Sequence, residues 1–372
     1  MKGVKRFVVK ARNVTYDITL KRNVTYVIGD SATGKTYLCS LLQKYNKNPV
    51  SSGISVDASC KVETIYDEKE WEHNITHSVN TIFVLDEDVS FVETERFAEI
   101  VKHSSNYFLL FQRKPLVTIP CAISEVYELT GSKLNKLKPV YHVKDNRLWG
   151  TLNNTIDKLV TEDSGSGHTF FKHSIKGCEE YVPAGGNGNI AKYCSGDKRI
   201  LVIADGAAIG PQAANLYAIL QVNPDLCVYL PESFEWLLLQ TNRFKDQQLT
   251  EILRNPIDFV ESSEYLTWER FFTQLLLDRT QNKYSKGTLG REYLQKQFIQ
   301  EVMNLTPISG VHGSQKSNVS DPMSMLVERF GDAAQDEAQK LISCVTPAVA
   351  KLNDLQTDED KLVYMMKQEG YL

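Results

Sequence analysis

Residues 24–36 read Val24-Thr25-Tyr26-Val27-Ile28-Gly29-Asp30-Ser31-Ala32-Thr33-Gly34-Lys35-Thr36. The first five favour a buried strand, and the eight from Gly29 fit the spacing G-x-x-x-x-G-K-[ST]. Tyr37–Tyr45 then reads as a helix. Small residues at this junction let backbone N–H groups surround phosphates, and the helix N-terminus adds its dipole. Lys35 is placed to neutralise β/γ-phosphate oxygens, and the Thr36 hydroxyl to ligate Mg²⁺. Gly29, Asp30, Ser31, Ala32, Thr33, Gly34, Lys35 and Thr36 are therefore the expected nucleotide cradle.

Upstream, residues 4–10 and 14–20 read as strands. The pentapeptide RNVTY occurs at 12–16 and again at 22–26, without a longer period. Downstream, the Ser- and Gly-rich residues 48–60 read as loop. Ile82-Phe83-Val84-Leu85-Asp86-Glu87 is an apolar strand ending in two carboxylates. Asp86 suits Mg²⁺, and Glu87 suits an attacking water that must be oriented or deprotonated. A further strand at 106–112 ends in Gln112 and Arg113, either γ-phosphate sensors or surface groups. The two acidic and basic motifs resemble the Walker A and Walker B pair of P-loop ATPases, in the ATP-binding-cassette-like branch. That resemblance implies ATP as ligand. About 50 residues separate the motifs, with no LSGGQ-like signature between them.

The 372 residues suggest two or three domains. Apolar residues are 42% and charged residues 24%, as in ordinary globular chains, which excludes a wholly disordered or collagen-like protein. Forty-two Lys and Arg against 46 Asp and Glu give a net charge of -4, which excludes a uniformly basic nucleic-acid coat but not a local patch. No apolar run reaches the ~20 residues of a spanning helix, and no secretory signal is visible. Seven scattered cysteines without a CxxC pair favour reduced thiols and a cytoplasmic protein with no membrane partner. Lys133, Lys136, Lys138, His142 and Lys144 form a basic stretch, read as a solvated segment or a phosphate-binding surface.

From residue 157 the alternation restarts. Strands are expected at 158–162, 179–184, 199–205 and 226–231, with helices at 167–175, 187–194, 211–221 and 233–241. This predicts a second, parallel α/β unit. Acids fall at its strand ends: Glu162 and Asp163, Asp205, Glu232, and Glu235 one turn later. In a parallel sheet these ends form the ligand crevice, and oxygen ligands suit Mg²⁺ or Mn²⁺; helix capping is the competing use. Ser164-Gly165-Ser166-Gly167 offers a second phosphate cradle, and His168 a phosphate ligand, a proton carrier or a structural group.

The order TED at 161–163, PAGGNGNI at 183–190 and DGAAIG at 205–210 resembles a Toprim domain. The resemblance implies metal ligation by Glu162 and Asp205, with Glu232 or Glu235 as a further ligand. Ala207 replaces the second Asp of D-x-D, and Ser166 another acid, so one firm metal and at most one weak one are expected. After residue 245 the pattern is helical, and the stripe 323–345 reads as core or as a partner-binding helix.

The expected fold is α/β: a P-loop NTPase sheet at 1–145, a Toprim-like parallel unit at 146–245 and a helical C-terminal region at 246–372. The order of units resembles OLD-type and related ATPase–Toprim proteins of anti-phage defence and mobile elements. It implies an ATPase acting on DNA or RNA, with Glu87, Glu162 and Asp205 as catalytic carboxylates. The competing expectation is a catalytically dead second unit, with ATP switching a homo-oligomer or protein partner through the C-terminal helices.

Overall fold

The structure is a computed structural model and describes residues 1–29, 33–141, 156–196, 198–220, 222–223, 226–306 and 308. Asp30, Ser31, Ala32, His142, Lys144 and the stripe 323–345 lie outside the described residues. The chain is α/β, with a large mixed sheet, a second parallel sheet and helices. It divides into two compact units. The first holds Met1–Val140, Ala207–Pro211 and Asp246–Phe271; the second holds Tyr141–Gly206, Gln212–Lys245 and Phe272–Leu372. The C-terminal helical stretch is thus shared between them. Among the described residues, no helix is long and apolar enough to cross a membrane.

In the first unit, strands β1 (Lys5–Ala11) and β2 (Val14–Leu20) form an antiparallel hairpin. β3 (Val24–Ile28) leads to helix α1 (Lys35–Lys47). There follow β4 (Ser55–Ala58), β5 (Lys61–Glu63), α2 (Trp71–Thr76), β6 (Thr81–Leu85), α3 (Glu95–Lys102), β7 (Tyr107–Phe111), β8 (Val126–Thr130) and β9 (Leu134–Pro139). Nine strands pair in the order β4-β1-β2-β9-β8-β3-β7-β6-β5. β5, β6, β7, β3 and β8 run parallel. The inner strands β6 and β7 are buried at every residue, as expected where both faces are covered.

Two expectations fail here. The loop read at 48–60 contains β4, and β5 follows at once. Both are short, polar edge strands whose residues alternate between solvent and sheet, so the apolar signal is weak. The basic stretch read as a solvated segment contains β9, an interior strand. Lys136 and Lys138 face solvent, while Asn135 before them is buried and Leu137 between them is half-buried.

β4 and β5 occupy opposite ends of the strand order, yet only Ser59 and Cys60 separate them. Three Cα–Cα steps span at most about 11 Å. The sheet therefore curls until its two edges approach. Leu38, Cys39, Leu41 and Leu42 of α1 share one core cluster with Phe7 and Val9 of β1, Ile18 of β2, Val62 of β5 and Val84 of β6.

Residues of the 246–271 segment complete this unit. Gly3 N donates to Ile257 O at 2.8 Å, and Ser262 N to Met1 O at 3.0 Å. The Arg22 guanidinium lies 3.6 Å from the ring centroid of Trp268 and 4.0 Å from Glu125 Oε1. Arg22 is 9% exposed, so the ring acts on a largely desolvated cation.

In the second unit, β10 (Lys158–Thr161), β11 (Glu180–Pro183), β12 (Ile200–Ile203) and β13 (Leu226–Tyr229) are all parallel, in the order β11-β10-β12-β13. Helix α4 (Ser166–Ser174) follows β10, α5 (Ala213–Leu220) follows β12, and α6 (Phe234–Leu239) follows β13. The helix expected at 187–194 is a 3₁₀ run, Asn187–Tyr193, in a stretch where Gly185 and Gly186 have positive φ.

Trp268→Ala removes the ring from Arg22 and should cost about 2–4 kcal/mol in urea unfolding. A loss below about 0.5 kcal/mol, the scale of an ordinary surface change, would show that the stack contributes nothing.

Candidate functional site

β3 is followed by Gly29, whose φ of 124° is open to glycine but rarely to other residues. Gly34, with φ 92°, is the residue from which α1 begins. Lys35 is 5% exposed, and its Nζ donates to Gly29 O at 2.6 Å and to Thr33 Oγ1 at 3.4 Å. The ammonium therefore sits over its own loop.

Thr36 and Asp86 come together although 50 residues separate them. Thr36 Oγ1 donates to Asp86 Oδ1 at 3.4 Å, and that oxygen also accepts Glu87 N at 2.9 Å. Asp86 is 1% exposed. Burial raises its pKa, against the lowering effect of those two hydrogen bonds. A hydroxyl and a carboxylate adjacent to each other fit Mg²⁺, which takes few protein oxygens and keeps several waters.

Gln112 follows β7, which pairs with β3 on one side and β6 on the other. Its Nε2 and the Glu87 Oε2 are both buried and make no hydrogen bond. Arg113 Nε lies 3.8 Å from that Glu87 oxygen, but the Arg113 side chain is 82% exposed. Of the two residues read as sensors, Gln112 is therefore the enclosed one. Loop, amide and carboxylates follow one another along the carboxyl ends of three adjacent parallel strands, the usual ligand side of such a sheet.

In the second unit, Glu162 and Asp205 converge. Asp205 N donates to Glu162 Oε2 at 2.8 Å, and Phe234 N donates to Asp205 Oδ1 at 3.2 Å. Both acids line a small cavity of about 40 Å³, together with Glu235 and Lys286. Glu232 is not among its lining residues. Ser233 caps α6 by accepting Trp236 N at 3.1 Å, which sets Glu235 in the first turn. Glu235 is 1% exposed, and its Oε1 accepts the Tyr284 hydroxyl at 2.8 Å. Burial, then Glu235, push that hydroxyl's pKa far up. Two strand-end carboxylates thus reach one cavity. Among the described residues, no group of three or more His, Cys, Asp or Glu is arranged to hold a metal.

Other strand-end groups have structural work. Asp163 accepts Gly167 N at 3.1 Å and His168 N at 2.9 Å, capping α4. Ser164–Gly167, read as a second cradle, faces backbone instead. Ser166 N donates to Lys286 O at 2.9 Å, and Ser166 Oγ to Ser285 O at 2.6 Å. A Cβ on Gly165 would lie 2.2 Å from Lys286 O. His168 Nδ1 is 2.8 Å from Thr161 Oγ1, and burial, then Lys172, lower its pKa.

Comparison with protein-family models, curated proteins and solved structures gives no match.

A carboxyl whose folded pKa is raised binds its proton more tightly folded than unfolded. Stability then falls as pH rises from the unfolded value of 3.8 through the raised one. At neutral pH ionised Asp86 is a net cost. Asp86→Asn keeps an oxygen for Thr36 and Glu87 and should raise the urea midpoint of the ligand-free protein at neutral pH. The gain should vanish in acid, below that unfolded value, while Mg²⁺-dependent ATP affinity falls. An unchanged midpoint at neutral pH would contradict it.

Proposed function

We propose that this chain is an ATP-hydrolysing protein whose second unit binds one divalent cation and a phosphodiester of DNA or RNA. One observation carries the first part: the contact between Thr36 Oγ1 and Asp86 Oδ1, beside buried Glu87 and Gln112 atoms that lack protein hydrogen bonds. The resemblance to P-loop ATPases supports it. Lys35 and the α1 N-terminus bind the phosphates. Thr36 and Asp86 hold Mg²⁺, which when bound neutralises phosphate charge. Glu87 takes a proton from the attacking water, and Gln112 orients that water or the γ-phosphate.

In the second unit, Glu162 and Asp205 are the metal ligands, and Lys286 is the cation facing an anionic backbone. The resemblance to ATPase–Toprim proteins suggests phage defence or a mobile element. A second reading is favoured by Ala207 and by the hydrogen bonds already drawn to Glu162 and Asp205: a binding module without cleavage, switched by ATP.

Glu87→Gln should keep ATP affinity and lower turnover by ~10²–10⁴-fold, the usual worth of general-base help. Wild-type turnover in that variant would place the base elsewhere. In a Mn²⁺ titration, Asp205→Ala should lose one bound ion and leave ATP binding intact. Metal-dependent nicking of plasmid DNA or RNA by the wild type, absent in Asp205→Ala, selects the nuclease; its absence in both selects the binding module.

A further inference from the structure

Tyr16 lies on β2, outside the phosphate loop, and is 1% exposed. Its hydroxyl donates to Gly34 O at 3.0 Å. The same carbonyl accepts Leu38 N at 3.0 Å, the first helical bond of α1. Gly34 has φ 92°, and a Cβ there would lie 2.9 Å from the Tyr16 hydroxyl oxygen; the next nearest atoms are 3.8 Å away. One hydroxyl therefore fixes this peptide's carbonyl and fills the space where a side chain would be.

The Gly34 carbonyl and the Lys35 N–H belong to one planar trans peptide and point in opposite directions. Holding the first aims the second. Lys35 N–H is among the four amides at the start of α1 that have no intrahelical acceptor. Such amides are the ones that receive phosphate oxygens.

We propose that Tyr16 is a positioning residue for phosphate binding, turning the Gly34–Lys35 peptide so that its N–H faces the anion. This rests on the reading of residues 29–36 as a nucleotide loop. Burial, then nearby Tyr37 and Cys39, raise the Tyr16 pKa to about 12, so the hydroxyl keeps its proton and remains a donor at neutral pH. Packing alone would be served equally by phenylalanine.

The test is Tyr16→Phe, which deletes only the hydroxyl. Affinities for Mg²⁺-ATP and for Mg²⁺ with inorganic triphosphate are measured well below the melting temperature. Both should weaken by about tenfold, the worth of one oriented hydrogen bond. KM for ATP should rise by the same factor with kcat unchanged. A residue that merely packs would lower the melting temperature and leave both affinities alone, which overturns the proposal. Gly34→Ala supplies a second measurement. It should cost more affinity in the wild-type background than in the Tyr16→Phe background, where the one atom within 3.0 Å of the new methyl is gone. Equal costs overturn the proposal. If the wild-type chain binds neither ATP nor triphosphate, the nucleotide reading itself falls. If it binds both and Tyr16→Phe binds them equally well, only the role of Tyr16 falls.

Discussion

A parallel strand covered on both faces can carry polar chemistry only where it stops. β6 and β7 are buried along their whole length, and β3 nearly so. Polar side chains within these strands, such as Thr25 and Tyr26, are taken up by hydrogen bonds inside the protein, which leaves the carboxyl ends for groups open to a ligand. There the chain places a glycine loop after β3, an amide after β7 and paired carboxylates after β6. The ladder between the strands then sets the spacing of these groups, so Thr36 meets Asp86 across 50 residues of sequence. Burial also sets the energetics. Asp86 is held in an environment that resists its charge, so the site is built at some expense to the ligand-free fold.

The second unit applies the same rule with different groups. Its strand-end acids separate into two kinds. Asp163 is consumed by amides at the start of α4. Glu162 and Asp205 meet in a small cavity, with Glu235 reaching it from α6 and Lys286 from the loop after the helix Trp268–Arg279. Asp163 lines that cavity as well, and Asp205 accepts one amide at the start of α6, so the difference lies in how many helix amides each acid takes.

How much of this was legible in sequence depends on the length scale of each signal. β3, the start of α1 at Lys35 and β6 are readable because local spacing and apolar runs encode them directly. The parallel second sheet was readable from alternation. β4 and β9 were not, because a short edge strand and a strand with lysines on alternate residues both look like solvated loop. Glu232 and Glu235 look equivalent in sequence, and only the cap at Ser233 and the burial of Glu235 show which of the two turns inward. Tyr16 carried no signal at all. Its partner lies 18 residues away, and its role depends on a backbone angle at Gly34. The repeated RNVTY put tyrosines at 16 and 26, both of which anchor carbonyls, yet a buried tyrosine reads in sequence as ordinary core.

The approach of β4 to β5 has a further consequence. An ordinary open sheet leaves two rows of unpaired amides and carbonyls, each a template for a strand from another molecule. Here the first unit's sheet is bent like a cuff around α1, with Ser59 and Cys60 as the clasp. Neither rim is a remote, flat border, and an incoming strand must compete with the opposite rim for room. The unit is thus guarded against edge-to-edge association by curvature as well as by the charges of Asp57, Lys61 and Glu63 on its two rims.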